Sequence, residues 1–374
     1  MLKGQVVWDM NCIPDRESTR IEFPSLIRFR DHWYCGFREG EIHMNHPSGR
    51  GRIIRTADGV NWETVHLLTW TGGDVREPKF SITPEGWLMV NTSVYFVSDE
   101  PRNPHDETAK HVKTVAPTVQ GRVQDVKGAY YQLDKPGTPA TKDEPRVARQ
   151  SMSWFSPDGL RWSSAYACET GINGWRWDVT WFNGMGYSVD YVGPAAEGVL
   201  YRTRDGKSWR ALKTPLFPPN DSCSEAALAF DPDAGTAYCL LRGSSATKAW
   251  WGIGKAPYYQ EWTWVQPSVD YGPDTGGRRP VADALGTVIG GPKMIRLADG
   301  RFMAAARALG PGRGDGRATL FEIDPGSGCM TMLAECDGTS YPGLAEHAGK
   351  LWLTYIDKGC HQDCWQVRMV AFEP

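Results

Sequence analysis

The sequence has no apolar run that approaches the ~20 residues of a membrane-spanning helix. It has no long run of lysine or arginine either, and its formal net charge is only −3. We therefore expect neither a membrane nor a nucleic acid as a partner. The first residues lack the apolar core of a signal peptide, so we expect a cytoplasmic protein, or a secreted or periplasmic one from which a signal peptide was removed.

Cysteine is scarce and shows no paired spacing. The nine cysteines are an odd number, so at least one must be free, which favours a reducing compartment. The sequence Cys-His-Gln-Asp-Cys at residues 360–364 is the only cluster that resembles a metal site. Because no second cluster accompanies it, we interpret it as a polar hairpin loop and expect no metal and no other cofactor.

Glycine, proline and tryptophan are abundant, at 41, 26 and 17 residues, whereas helical periodicity is rare. This composition is typical of many short strands joined by tight turns. Six segments read as strand, turn and strand, and most recur every 40–65 residues or so: 24–39, 78–93, 179–192, 226–242, 292–307 and 342–357. Repeats of this size predict an all-β, six-bladed β-propeller, with two further outer strands in each blade.

We expect residues 1–374 to form a single domain. Pairing of residues 5–10 with residues 365–373 would complete the last blade and leave no open sheet edge. The polar, proline-rich residues from about 99 to 146 are predicted to be a loop excursion from the second blade, serving either as a lid or as disordered decoration.

A shorter motif occurs three times, as "RTADGVNW" (55–62), "FSPDGLRW" (155–162) and "TRDGKSW" (203–209). Aspartate can bond to its own turn, glycine can adopt a positive φ, and tryptophan can pack between blades. We interpret the three motifs as structural rather than catalytic. On a chain of six units they resemble the Asp-box (BNR) repeat of the sialidase (neuraminidase) superfamily, and the resemblance covers nearly the whole chain.

In a propeller the first strand of each blade lines the central channel, so the residues that begin these strands gather at one mouth. These residues are Glu22, Arg76, Glu77, Asp178, Glu225, Gly290, Gly291 and Tyr341. Arginines also end three second strands: Arg38, Arg242 and Arg307. Such charges are costly to bury unpaired. They predict either an electropositive pocket for a carboxylate or, alternatively, salt bridges at the blade edges.

The resemblance to sialidases assigns roles to four of these residues. It implies that Tyr341 is the nucleophile, that Glu225 is its partner base, and that Arg242 and Arg307 bind the substrate carboxylate. A tyrosine attacks well only when a neighbouring base takes its proton. We predict further substrate contacts at Glu22, Arg38, Arg76 and Glu77.

The sequence departs from the sialidase pattern at two places. In "RIEFPSL" Glu22 occupies the position of the first arginine of the triad, and Arg20 lies two residues earlier. The acid–base aspartate before the first Asp box is absent, and the segment offers Glu39, Glu41, His43 and His46 instead. Because histidine exchanges protons near neutral pH, His43 and His46 are candidate acids, together with Glu77 and Asp178.

Three functions are compatible with these residues. The first is an exo-acting, sialidase-like glycoside hydrolase that releases a terminal acidic sugar from a glycan. The second is a polysaccharide lyase or a histidine-dependent glycosidase that acts on uronate-containing glycans. The third is a non-catalytic, glycan-binding propeller. Each implies a glycan partner, and none predicts the oligomeric state.

Overall fold

The computed structural model describes residues 1–10, 18–70, 72–96, 113–115, 149–191, 197–219, 221, 223–243, 249–271, 278–280, 289–308, 316–358 and 365–374. These ranges contain 29 β-strands and no α-helix, which confirms the predicted all-β class. Nowhere in them is there a helix long and apolar enough to cross a membrane. The Cys-His-Gln-Asp-Cys segment at 360–364 lies outside the described residues.

The strands form six sheets, as predicted for a six-bladed propeller. The first blade comprises β2 (Arg20–Phe29), β3 (His32–Gly40), β4 (Arg50–Thr56) and β5 (Glu63–Leu68). The second comprises β6 (Gly73–Val75), β7 (Lys79–Ile82), β8 (Leu88–Phe96), β9 (Lys113–Val115), β10 (Arg149–Ser156) and β11 (Tyr166–Ile172). The third comprises β12 (Trp175–Arg176), β13 (Thr180–Phe182), β14 (Met185–Tyr191), β15 (Val199–Thr203) and β16 (Arg210–Lys213).

The remaining three blades repeat the plan. The fourth comprises β17 (Ala226–Asp231), β18 (Thr236–Arg242), β19 (Ala249–Lys255) and β20 (Trp262–Val265). The fifth comprises β21 (Ser268–Asp270), β22 (Arg278–Pro280), β23 (Gly290–Arg296), β24 (Phe302–Ala308), β25 (Arg317–Ile323) and β26 (Met330–Glu335). The sixth comprises β27 (Thr339–His347), β28 (Lys350–Asp357), β29 (Gln366–Phe372) and β1 (Gln5–Asp9).

The first strand of the chain closes the ring. β1 pairs antiparallel with β29, from Gln5 opposite Met369 to Asp9 opposite Gln366, which confirms the predicted closure. Arg368 adds a bond from its Nη1 to the carbonyl of Gly4, at 2.9 Å. Because β29 is paired on both sides, it leaves no open ladder at the junction of the two chain ends.

The excursion predicted at 99–146 falls almost wholly outside the described residues. Its described part is β9, which pairs in parallel with β11 at the outer edge of the second blade. The interpretation of residues 1–374 as a single domain stays a prediction.

The apolar core lies between neighbouring blades. Phe182 of the third blade stacks on Phe230 of the fourth, with ring centroids 4.7 Å apart. Tyr238 of the fourth blade packs edge-on against Phe302 of the fifth, at 5.0 Å. Each sheet therefore buries both faces, which explains why its strands do not alternate strictly between apolar and polar residues.

The inner strands enclose a central channel. At the end where these strands finish, it opens into a cavity of about 440 Å³ lined by residues of all six blades, among them Leu26, Phe80, Thr180, Leu228, Met294 and Leu344. The residues that begin the same strands therefore lie at the opposite mouth. This common strand direction is what brings the predicted site residues together.

The three Asp-Gly-x-x-Trp turns share one geometry, and each joins the third and fourth strands of its blade. In the first, Asp58 Oδ1 accepts bonds from the amides of Val60 and Asn61, both at 2.8 Å, and Gly59 has φ of 79°. The amide donors hold the pKa of Asp58 well below its usual range.

The tryptophan of each turn faces the preceding blade. Trp162 of the second blade stacks on His66 of the first, with ring centroids 5.4 Å apart. Trp209 is buried with Met89 and Phe155 of the second blade, and its Nε1 donates to Gly206 O at 3.2 Å. This packing supports the interpretation that the turns fasten neighbouring blades.

We expect Asp205→Ala to lower the free energy of unfolding by about 1 kcal/mol, the usual effect of removing a side-chain cap. Asp205 Oδ1 accepts the amides of Lys207 and Ser208, both at 2.9 Å, and these bonds would be lost. Thermal unfolding measures the effect, with Glu85→Ala in the exposed β7–β8 turn as the control. A stably folded Asp205→Ala protein that has lost turnover would show that the turn is catalytic.

Candidate active site

A tyrosine and a glutamate meet at the channel mouth. Tyr341, near the start of β27, donates from Oη to Oε1 of Glu225 at 2.8 Å. The amide of Gly291 donates to the other oxygen, Glu225 Oε2, also at 2.8 Å. Tyr341 is 7% exposed and Glu225 is 5% exposed, so both are buried but reach the surface of the mouth. The structure thus forms the Tyr341–Glu225 couple that the sequence predicts.

Arg242 binds both members of this couple. It ends β18, and the β17–β18 hairpin places it beside Glu225. Its Nη1 donates to Glu225 Oε1 at 2.8 Å and to Tyr341 Oη at 2.9 Å. The carboxylate of Glu225 raises the pKa of Arg242 further above its usual range. Arg242 therefore stays charged and supports the oxygen that would attack a substrate.

Arg307 contributes a second positive charge. It is the penultimate residue of β24, and its guanidinium carbon lies 4.9 Å from the centre of the Tyr341 ring. No carboxylate in the described ranges lies within ion-pair distance of it. A half-buried guanidinium with no carboxylate partner in the described ranges is suited to bind an anionic ligand.

The electrostatic balance keeps Tyr341 neutral at rest. Burial raises the pKa of Tyr341 most, the charge of Glu225 raises it further, and Arg242 and Arg307 lower it by less. The phenol therefore holds its proton until Glu225 accepts it. The two arginines would then stabilise the developing negative charge on Oη.

Glycine at position 291 is required by this geometry. Gly291 has φ of 58°, in a bulge of β23 opposite β24. A Cβ atom on it would lie 1.9 Å from Cγ of Tyr341. The bare backbone lets the amide reach Glu225 while the tyrosine ring packs directly over it.

Two further aromatic rings hold Tyr341, and neither was predicted as a site residue. Phe23 lies 5.0 Å from the Tyr341 ring and Trp177 lies 5.8 Å from it in an edge-on contact. Phe23 has φ of 59°, within the β-bulge that interrupts the β2–β3 ladder after Glu22. In the sequence Phe23 follows Glu22 and Trp177 precedes Asp178. This adjacency to predicted site residues could have indicated that both rings lie at the site.

Glu22, which precedes Phe23, binds a histidine. His43 Nδ1 lies 2.8 Å from Glu22 Oε1, and the His43 and Phe23 ring centroids are 5.5 Å apart. Arg20 Nη2 donates to the same oxygen at 3.0 Å. Burial raises the pKa of Glu22, but the bond to His43 and the charges of Arg20 and Arg38 outweigh it and lower the pKa overall.

A carboxylate accepts hydrogen bonds, so the His43–Glu22 contact places a proton on His43 Nδ1. The side chain of His43 is 49% exposed, which leaves Nε2 directed away from this contact and open to exchange protons with a ligand. The Phe23 ring contacts both His43 and Tyr341, so both side chains lie next to one aromatic ring at the mouth.

Arg38 does not face the pocket directly. It is 0% exposed, and Asp74 binds its Nε and Nη2 at 2.8 and 3.1 Å. Its Nη1 reaches Glu22 Oε2 at 3.3 Å. Asp74 was not predicted, although the sequence "GGDVREP" places it two residues before Arg76, and Arg76 Nη1 also binds it at 3.2 Å.

Glu77 and Asp178 are 2% and 4% exposed and differ in their pairing. Burial raises the pKa of Glu77 to about 6, and its Oε2 has no hydrogen-bond partner in the described part of the chain. Asp178 Oδ2 binds Lys293 Nζ at 2.7 Å. Lys79, which was not predicted, is buried over the Trp177 ring at 4.5 Å. A proton donor must be accessible, so both carboxylates suit this role less well than His43.

The other candidates from the β3–β4 region have partners close by. His46 Nδ1 lies 2.8 Å from Ser48 Oγ, and His46 Nε2 lies 3.5 Å from Glu41 Oε2. Glu39 is fully buried and binds Arg50 and Arg52. These contacts lie within the loop and the first blade, away from the Tyr341–Glu225 couple.

Comparison with known proteins identifies the architecture. Searches of family models and of curated protein sequences gave no match. Among solved structures, the Hadza microbial sialidase Hz136 superposes with a TM-score of 0.61 at 12% identity, over 94% of this chain and 66% of that chain. A Trypanosoma rangeli sialidase gives a TM-score of 0.61 at 10% identity, over 93% of this chain and 53% of that chain. This chain has the sialidase-type propeller fold.

Two solved structures whose length is similar to that of this chain are not described as sialidases. A Dyadobacter fermentans protein of unknown function gives a TM-score of 0.62 at 15% identity, over 98% of both chains. A Penicillium chrysogenum alpha-L-arabinanase gives a TM-score of 0.60 at 12% identity, over 99% of this chain and 98% of that chain. The sialidase-type propeller therefore occurs in proteins named for different sugars, and the site must decide the function.

We expect Gly291→Ala to disturb the site far more than a matched change. Gly349 also has a positive φ, of 73°, but a Cβ atom there meets nothing within 4 Å. Gly349→Ala should therefore lower the free energy of unfolding by only about 1 kcal/mol, the cost of placing alanine at a positive φ. Gly291→Ala must also displace Tyr341. Thermal unfolding and ligand binding measured on both variants test this, and equal effects would contradict the packing described.

Proposed function

We propose that this protein is an exo-acting glycoside hydrolase that releases a terminal acidic sugar from a glycan. The observation that carries the proposal is the Tyr341–Glu225 hydrogen bond of 2.8 Å, with Arg242 bound to both groups. Arg307 lies beside the ring and has no ion-pair partner among the described residues. Sialidases and an arabinanase among the fold neighbours support a glycosidase activity in general.

In the first step, Tyr341 Oη attacks the anomeric carbon while Glu225 Oε1 takes the phenol proton. The bond from the anomeric carbon to the leaving oxygen breaks, and His43 Nε2–H supplies the proton that this oxygen needs. Because the resting tyrosine is neutral, it does not repel a substrate carboxylate as an aspartate or glutamate nucleophile would. The product of this step is a sugar bound covalently to Tyr341.

In the second step, water attacks the anomeric carbon, and neutral His43 Nε2 accepts its proton. The bond to Tyr341 Oη breaks, and the oxygen recovers its proton from Glu225. The free sugar leaves, and His43, Glu225 and Tyr341 return to their starting states. Glu22 keeps the imidazole of His43 oriented throughout both steps.

The substrate carboxylate is assigned to Arg242 and Arg307. Among the described residues, the Arg242 guanidinium donates only through Nη1, to Glu225 and Tyr341, and we assign its other N–H groups to the ligand. Arg307 has its charge uncompensated by the described residues. Arg38, which the sequence suggested as a third carboxylate ligand, is assigned to the support of Glu22, because it is fully buried and bound to Asp74.

The Glu22–His43 pair also favours a second candidate, a polysaccharide lyase or histidine-dependent glycosidase acting on uronate-containing glycans. A histidine oriented by a carboxylate can remove a proton from the carbon next to a uronate carboxyl group, which the arginines would neutralise. A lyase releases an unsaturated, ultraviolet-absorbing product, whereas the proposed hydrolase releases a saturated monosaccharide. A glycan-binding propeller would give neither product.

We expect Tyr341→Phe and Glu225→Gln each to lower turnover of an aryl glycoside by at least about a hundredfold, the scale of nucleophilic and acid–base contributions. The double variant should be little worse, because the two groups act as a unit. Tyr355→Phe is a matched control, since the Tyr355 hydroxyl also donates to a carboxylate, Asp337 Oδ1, at 2.5 Å in the same blade. Tyr355→Phe should lower the free energy of unfolding but leave turnover unchanged. Full activity of Tyr341→Phe would refute the tyrosine mechanism.

We expect Arg307→Ala to raise KM for carboxylated sugars by at least about tenfold, the effect of losing one charge-assisted contact. Neutral sugars should be little affected. Arg301, just before the other end of β24, pairs with Asp299 at 2.8 Å and gives the control Arg301→Ala. Equal losses on both sugar classes would show that Arg307 does not recognise the carboxylate.

A further inference from the structure

The loop that carries His43, residues 41–49, has few anchoring side chains of its own. Ile42 and Met44, on either side of His43, are 49% and 43% exposed. The bond from the Glu41 amide to Ser48 Oγ, at 2.9 Å, closes the loop but does not attach it to the channel mouth. The position of His43 therefore depends on contacts that neighbouring elements make with the loop backbone.

Those contacts converge on Asp74 in β6 of the second blade. Asp74 is fully buried and binds Arg38 through both carboxylate oxygens. It also binds Arg76 Nη1 at 3.2 Å and the amide of His46 at 3.4 Å. One carboxylate thus joins two arginines and the loop itself.

The two arginines in turn hold the loop on both sides of the His43 backbone. Arg38 Nη1 donates to the carbonyl of Ile42 at 2.9 Å. Arg76 Nη1 donates to the carbonyl of His43 at 2.7 Å. Bonds from buried guanidinium groups to backbone are among the stronger hydrogen bonds in a protein. The loop is therefore fixed at the residue that bears the imidazole.

The end of the loop also packs closely on Asp74. A Cβ atom on Gly49 would lie 1.7 Å from Asp74 Oδ1. The amide of Val75 donates to the carbonyl of Gly49 at 3.0 Å. The contact leaves no room for a side chain, so the loop and β6 keep one relative position.

Asp74 also affects how closely Arg38 and His43 each bind Glu22. Arg38 contacts Glu22 at 3.3 Å, which is longer than the 2.8 Å contact between His43 and Glu22. Because Asp74 binds two nitrogens of Arg38, this guanidinium is drawn away from Glu22. Arg38 binds Glu22 Oε2 and His43 binds Oε1, so without Asp74 the Arg38 guanidinium would be free to move onto Oε1 and compete with His43 there.

We propose that Asp74 is the positioning residue of His43: through Arg38 and Arg76 it holds the 41–49 loop and keeps Glu22 available to orient the imidazole. This inference rests on the proposed function in one respect, namely that His43 exchanges protons with the substrate. Asp74 itself touches neither the substrate nor the Tyr341–Glu225 couple in this scheme.

The test uses Asp74→Asn, which keeps the shape of the side chain but replaces one acceptor oxygen with a donor. We expect kcat for an aryl glycoside to fall by about tenfold to a hundredfold, the usual effect of misplacing a reacting group. KM should change little, because Arg242 and Arg307 lie in other blades. Asp74→Asn combined with His43→Asn should be no worse than His43→Asn alone.

Glu39→Gln is the matched control, since Glu39 is equally buried in the first blade and also binds two arginines, Arg50 and Arg52. It should lower the melting temperature but leave kcat unchanged. Gly49→Ala is a second probe that removes no charge. It should lower kcat as Asp74→Asn does, because the added methyl group pushes the loop away from Asp74.

Backbone hydrogen exchange of residues 41–49 gives a measurement that needs no substrate. Asp74→Asn and Gly49→Ala should exchange faster there than the wild type, and Glu39→Gln should not. Unchanged exchange, or a kcat loss that adds to that of His43→Asn, would overturn the inference about Asp74. Full turnover by His43→Asn would instead refute the proton-donor role in the proposed function, so the two failures are distinguishable.

Discussion

The closure of the ring by β1 on β29 is the constraint on which the rest of the structure depends. Six sheets that each bury both faces need neighbours on both sides, and closure supplies the neighbour that a linear array would lack at its ends. It also fixes the radial position of every inner strand. Tyr341 of the sixth blade can therefore meet Glu225 of the fourth and Phe23 of the first, although none of these residues is near another in sequence.

The mouth of the channel is held together by alternating charge. On one side Glu225 lies against Arg242, and on the other Asp74 lies between Arg38 and Arg76. Buried charges of this kind are tolerated only when paired and hydrogen-bonded, and removing one partner is costly. Arg307 stands apart from this pattern within the described ranges, and this difference is why we propose that it binds the ligand while the paired arginines support the site.

The turns and the mouth illustrate two uses of aspartate in one fold. Asp58, in an Asp-Gly-x-x-Trp turn, satisfies amides of its own turn and lies on the surface. Asp74 is buried and binds the guanidinium groups of Arg38 in the first blade and of Arg76, two residues further along its own blade. The first arrangement is local and repeats with the blades, whereas the second occurs where strands of different blades converge. The same residue type thus contributes to blade attachment in one place and to site geometry in the other.

The sequence by itself determined the features that depend on local or periodic chemistry. The six strand pairs, the closing strand, the three turns, and Glu225 and Tyr341 at the starts of inner strands all follow from apolar patterning and turn residues. Only the tertiary structure decided which of these arginines is paired with carboxylates, since Arg38, Arg242 and Arg307 all lie at or near the ends of second strands. The deciding partner of Arg38 is Asp74, from the next blade. The left-handed conformation of Phe23 and the His43–Glu22 contact likewise arise from blade packing, which no local pattern encodes.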